Sequence, residues 1–220
     1  MYKRSVRSDR LVRLVRSVRK NMKKYKTIKK LSSSEYVVSR SKFLGFALPA
    51  NNTEEIQNLI RKYSSRFSDA THCCWAYKTG FPENPQEYYS DAGEPSGSAG
   101  RPILGIISHF ELQNVIIIVI RYFGGVKLGI RGLIDAYATS ARMAIEASEI
   151  IEKQQMEMFK LRLPYSLYDT IKHEIEIIGG KLINPVFESE INCEINVPKD
   201  KAKTFVEELR AKGAGITVNE

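Results

Sequence analysis

Arg121-Tyr122-Phe123-Gly124-Gly125-Val126-Lys127-Leu128-Gly129 follows directly on the apolar run Val-Ile-Ile-Ile-Val-Ile at 115–120. A short run rich in β-branched side chains reads as a buried strand. The glycines then force a tight turn, and 128–147 has the spacing of a helix. Gly124 and Gly125 permit positive φ and let another group approach the main chain closely. Arg121 and Lys127 bracket the turn with cations. A buried strand that delivers a bare, basic turn to a helix start suits the grip of an anion. It offers no obvious catalytic group.

Working outward toward the N-terminus, 103–107 reads as a short strand and 79–102, rich in Gly, Pro, Ser, Asp and Glu, as a long loop. Loops of that length in small domains are often functional. The segment 71–78 is a strand candidate. Helical spacing runs over 54–66 behind an N-cap at Asn52 or Thr53. Two strands at 35–38 and 43–47 form a hairpin through the basic link Ser39-Arg40-Ser41-Lys42.

Toward the C-terminus, 149–156 is a boundary of charged and amide residues. Beyond it, strands are expected at 156–163, 181–188, 190–197 and 216–218, with helices at 165–178 and 199–212. Gly179-Gly180 and Gly213 stop the two helices. That order, βαββαβ, is the ferredoxin-like pattern.

The 220 residues suffice for one large or two small domains, and a composition of 43% hydrophobic and 27% charged residues is that of a soluble globular chain. The net charge of +9 is unevenly spread. Residues 1–30 hold thirteen Lys/Arg against Asp9 alone, or +12, which leaves 21 basic and 24 acidic residues, or −3, for the rest. Whole-chain basicity is therefore weak evidence for nucleic-acid binding by the body. An odd count of three cysteines, two of them adjacent, gives no disulfide framework and points to a reducing cytoplasm. No run is long enough for a transmembrane helix, and no secretory signal stands at the start.

Residues 1–30 read as a basic, disordered extension. Within it, 1–21 repeats arginine every third position from Arg4 to Arg19 between Val and Leu residues. This segment fits a basic amphipathic helix on RNA or an anionic membrane, a transit peptide, or an extension upstream of a true start at Met22.

The search for reaction chemistry returns little. Ser96 lies in Gly93-Glu94-Pro95-Ser96-Gly97, which is not a nucleophile elbow. The glycines of 124–132 match neither a P-loop nor a dinucleotide fingerprint. In a strand His72 and Cys74 share one face and Cys73 takes the other, leaving half a metal site at most, and small buried cysteines are the commoner reading. Glu87, Asp91 and Glu94 could serve as acid, base or cation ligands, or form a hydrated loop face. Gly-x-x-Gly occurs at Gly97/Gly100 and at Gly129/Gly132. Together with Arg101, Arg121, Lys127 and Arg131 these glycines describe an anion-binding surface of main-chain amides and guanidinium groups. The competing reading is that the glycines let two loops pack while the arginines tie down Asp91 and Glu94. Tyr88, Tyr89, Tyr122 and Phe123 could stack bases or belong to the core.

The segment 90–102, Ser-Asp-Ala-Gly-Glu-Pro-Ser-Gly-Ser-Ala-Gly-Arg-Pro, and the segment 121–129 with Gly132-Leu133 closely resemble the two signatures of the YigZ/IMPACT family. Arg40-Ser41-Lys42-Phe43 and Ala70-Thr71-His72-Cys73 match its weaker blocks. The resemblance runs from about Ser34 to Glu220. It implies an α+β protein. A ribosomal protein S5 domain 2-like β-α sandwich, also seen in elongation factor G domain IV, would span 31–150. A ferredoxin-like domain, similar to elongation factor G domain V, would span 155–220. The family looks like translation-linked regulators, whose eukaryotic members restrain an amino-acid-starvation kinase by binding its activator. Ala92, Arg131 and Asp135 depart from the family pattern.

The expectation is therefore a binding protein without metal or cofactor. It would contact RNA or the ribosome, or a protein regulator of translation, through Gly97, Gly100, Arg101, Arg121, Gly124, Gly125, Lys127 and Arg131. The alternative is a hydrolase or transferase that uses Asp91 and Glu94 with His72.

Overall fold

The computed structural model describes residues 24–218. It divides into two units, Tyr25–Lys153 and the residues from 154 onward, each with its own apolar core. The protein is a mixed α/β chain of two parts.

In the first unit β1 (Lys24–Ile28) precedes a hairpin of β2 (Ser32–Val38) and β3 (Ser41–Pro49). Its two-residue turn, Ser39 and Arg40, has positive φ at both positions, the geometry whose twist matches paired strands. α1 (Thr53–Arg66) starts at Asn52, whose side chain accepts the Glu55 N–H. β4 (His72–Phe81), β5 (Asn84–Ser90), α2 (Gly100–His109), β6 (Val115–Tyr122), α3 (Gly129–Glu146) and β7 (Ile150–Gln154) follow. Five strands form an antiparallel sheet in the order β2-β3-β6-β4-β5, while β1 pairs with β7.

β6 explains its own composition. Val115, Ile117 and Val119 pack into the core that holds Ile103, Ile107, Leu133 and Tyr137 of α2 and α3. Ile116, Ile118 and Ile120 pack into the opposite core with Ile56 and Tyr63 of α1. Alternate residues of a strand face opposite sides, so a strand covered on both faces is apolar throughout. Helices on both sides of the sheet give three layers.

Four sequence expectations are corrected here. The 103–107 segment lies inside α2, not in a strand. A short apolar run does not reveal its period, and Pro102 sits in the first helical turn, where its missing N–H costs nothing. Part of the expected 79–102 loop is β5, an edge strand in which Pro85 is tolerated opposite Gly80. The basic extension assigned to 1–30 ends too late, because Lys24–Ile28 is β1: Thr27 and Ile28 are buried and Lys26 O accepts the Gln113 N–H. The boundary segment 149–156 contains β7. The readings of 1–21 fall outside the described residues.

The second unit runs β8 (Met156–Leu163), α4 (Tyr165–Ile177), β9 (Lys181–Phe187), β10 (Ile191–Pro198), α5 (Lys199–Ala211) and β11 (Gly215–Val218). Its strands are antiparallel in the order β11-β8-β10-β9. Phe159, Leu161 and Leu163 of β8 and Ile191, Cys193, Ile195 and Val197 of β10 face Ile171, Ile175, Phe205 and Leu209 of the two helices. The alternation of β8 and β10 leaves Lys160, Arg162 and Glu194 off that core, along a groove of about 660 Å³.

Candidate functional site

β6 brings Arg121 beside His72 of β4 and Phe43 of β3 in the sheet register. The Arg121 side chain is 6% exposed, and its Nη1 donates to Glu94 Oε1 at 2.6 Å, a carboxylate only 3% exposed. The guanidinium lies over the rings of Phe43 and Phe123, 5.5 and 5.4 Å from their centroids. Tyr137 OH of α3 donates to the same Oε1 at 2.8 Å. Arg121 Nε is buried without a partner among the described residues. A charge-assisted bond between buried groups is strong, and this one joins the 90–102 segment to the 121–129 segment.

His72 Nδ1 lies 2.9 Å from Ala92 O. A carbonyl only accepts, so Nδ1 carries the proton. Nε2 faces Glu94 Oε1 at 3.8 Å, beyond hydrogen-bond reach. Cys74 Sγ donates to Asp91 O at 3.0 Å, and burial pushes its thiol up to about 12. Burial likewise raises the Tyr137 phenol, with Cys74 and Glu94 adding to the shift.

Asp91 is fully engaged. Oδ1 accepts the N–H groups of Ala99 and Gly100 at 3.0 and 2.8 Å, and Oδ2 accepts that of Gly97 at 2.8 Å. These amides include the start of α2, where N–H groups lack helical partners. Its own carboxylate thus takes the position in which the sequence reading placed an external anion.

The turn after β6 is held by the two weaker motif blocks. Thr71 Oγ1 accepts the Phe123 N–H and Ser41 Oγ the Gly124 N–H. A Cβ on Gly124 would stand 2.0 Å from the Arg40 carbonyl carbon and oxygen. Gly124 is therefore required by the close approach of the β2–β3 turn. Gly125 and Gly129, at φ +82° and +71°, face open space.

The expected site residues thus separate into three sets, with Gly125 facing open space. Arg121, Gly97, Gly100 and Gly124, expected in an anion grip, are engaged in contacts within the protein. His72, Asp91 and Glu94 form the clasp that locks the 90–102 segment. Arg101, Lys127 and Arg131 are exposed and form no ion pair with the described residues. Tyr137 went unnoticed in the sequence because a tyrosine on the apolar arc of a helix looks like any core aromatic. Ser41 and Thr71 carried a signal, since both lie in the weaker blocks. Among the described residues no group of three or more His, Cys, Asp or Glu is placed to hold a metal. None of their helices is long and apolar enough to cross a membrane.

The Impact N-terminal domain model matches residues 39–145, which contain the whole clasp and the turn. The IMPACT family member YvyE of Bacillus subtilis is 30% identical over 181 residues, covering 82% of this chain and 83% of its own. An IMPACT family member of Haemophilus influenzae is 28% identical over 185 residues, covering 84% and 90%. A crystal structure of a hypothetical protein covers 90% of this chain and 98% of its own at a TM-score of 0.67 and 23% identity, a likeness of fold. With both halves of the clasp inside the matched domain and relatives aligned along most of their length, the chain belongs to the IMPACT family.

Proposed function

We propose that this chain is a translation-linked regulator that acts by binding a protein partner, with the turn after β6 and the start of α3 as its contact face. The translational setting follows from family membership. The architecture supports reading the first unit as an S5 domain 2-like sandwich and the second, with its βαββαβ order and antiparallel sheet, as ferredoxin-like. The boundaries then fall at about 25–153 and 154–220.

One observation carries the choice of a protein partner: large apolar side chains stand exposed on the turn and helix start, with Phe123 45% and Ile130 63% accessible. Apolar patches bordered by charge mark protein contacts. The clasp leaves no free acid–base pair, since Asp91 and Glu94 are both committed to internal donors. RNA or ribosome binding is the second reading, and the exposed cations Arg101, Lys127 and Arg131, which form no ion pair with the described residues, favour it.

Two measurements separate the readings. Under the first, a partner recovered with the full-length protein survives nuclease treatment and is lost with Ile130→Ser. RNA affinity is then weak and indifferent to Lys127→Ala/Arg131→Ala. Under the second, that double variant lowers RNA affinity and flattens its salt dependence, by a log–log slope of about one per phosphate contact removed. The partner then disappears with nuclease.

A further inference from the structure

The buried residues of α3, among them Leu133, Ala136, Tyr137, Ser140, Ala141 and Ala144, define one arc of the helix. At about 100° per residue, Ile130 and Ile134 fall on the same arc, seven positions before Tyr137 and Ala141. Yet they are 63% and 37% exposed. The apolar stripe of α3 outruns its cover at the N-terminal end. Phe123 and Val126, on the turn leading into it, are also exposed. Single exposed apolar residues are ordinary; four large ones between 123 and 134 are a surface.

Its electrostatics are one-sided. Lys127 and Arg131 are exposed and unpaired among the described residues, and Asp135 is the one acid between 121 and 135. The close fit of Gly124 against the Arg40 backbone brings a further exposed cation alongside. Lys42 nearby is already matched by Glu35 at 3.5 Å. α3 also follows Leu128, an N-cap with no side-chain hydrogen bond, and has no acidic residue in its first turn, so neither offsets the positive end of this 18-residue helix.

We propose that this surface docks an acidic amphipathic segment of the partner protein, its apolar side on Phe123, Val126, Ile130 and Ile134 and its carboxylates toward Arg40, Lys127 and Arg131. The inference rests on the binding reading above and names the chemistry of its partner. Charge decides among occupants. The chain's own residues 1–23, with nine Lys/Arg against Asp9, or +8, carry the same charge as this surface and are disfavoured. A second copy in a two-fold contact would set these cations against themselves. Nucleic acid would use the cations but leave three aliphatic side chains without a role, since base stacking needs aromatic faces.

A photo-crosslinking residue, benzoylphenylalanine, at Val126 of the full chain tests this in cells, with the captured molecule sequenced at the attachment point. A peptide segment of net negative charge with apolar residues three and four apart is the expected product. Synthesised alone, it should bind the purified protein and lose roughly tenfold or more in affinity on Lys127→Glu/Arg131→Glu. Circular dichroism checks that the variant folds. Capture of RNA, of anionic lipid, of a second copy of this chain or of a segment without that pattern overturns the proposal. So does an absence of crosslinks, or an affinity blind to the charge reversal. A translation reporter carrying Ile130→Ser/Ile134→Ser tests the regulator reading separately. If the reporter shifts but the captured segment is not acidic, this inference alone fails. If an acidic segment is captured but the reporter is unmoved, the regulator reading alone fails.

Discussion

Arg121 carries its charge inside the protein, where Glu94 neutralises it and two aromatic rings enclose it. Removing one member of such a pair leaves a buried charge uncompensated, which costs about 3–5 kcal/mol. Glu94→Ala should therefore lower the stability of the first unit by that amount in urea titrations. Glu94→Gln, which still accepts from Tyr137, should cost less. The thiols give a second expectation. Burial raises Cys74 from 9.0 to about 12 and Cys193 to about 11. The unfolded chain therefore loses these protons first, and stability falls as pH climbs from about 9 through the folded values. By about pH 10.5 each thiol should contribute a loss on the order of 2 kcal/mol, and Cys74→Ala should flatten that decline in the first unit. At this scale the sequence singled out Arg121 and Glu94 but not that they face each other. Charge is visible in a sequence and burial is not, and Glu94 meets Arg121 from a distant loop.

Asp91 holds the start of α2 by accepting three main-chain N–H groups. Loss of a helix-capping side chain costs about 0.5–2 kcal/mol, and three orphaned donors place Asp91→Ala at the upper end. The denaturation midpoint should fall accordingly, and Asp91→Asn should recover part of it through the one carbonyl oxygen the amide retains. Gly97 and Gly100 looked like bare amides because their acceptor, Asp91, is a side chain of the same segment that folds back onto them. Elements with a long, clean period fared better: α1, α3 and the alternating β8 were legible, since their burial repeats every 3.6 or 2 residues. β5, a polar strand with Pro85 near its start, and α2, with Gly100, Pro102 and Gly105, were not.

For the whole molecule, two separate cores predict that each unit can be perturbed alone. The N-terminal limit of the first unit gives a direct test. A chain beginning at Leu31 lacks Ile28, which is fully buried, and the β1–β7 pairing. Loss of one large core side chain costs about 2–5 kcal/mol. The shortened protein should be less stable by at least that much than one beginning at Lys24, with the second unit unaffected, as differential scanning calorimetry would resolve. The sequence reading missed this strand because its lysines, Lys24 and Lys26, continue the basic run before it. Charge hid a segment whose Thr27 and Ile28 face inward.

β6 belongs to both apolar layers of the first unit, so neither layer can repack without moving the backbone that ends in the turn. Thr71 and Ser41 pin the next two amides beyond it. The turn of the proposed contact face is therefore held at Phe123 and Gly124 before any partner arrives. Little conformational entropy remains to be lost there on association, and the cost of ordering falls on the incoming segment.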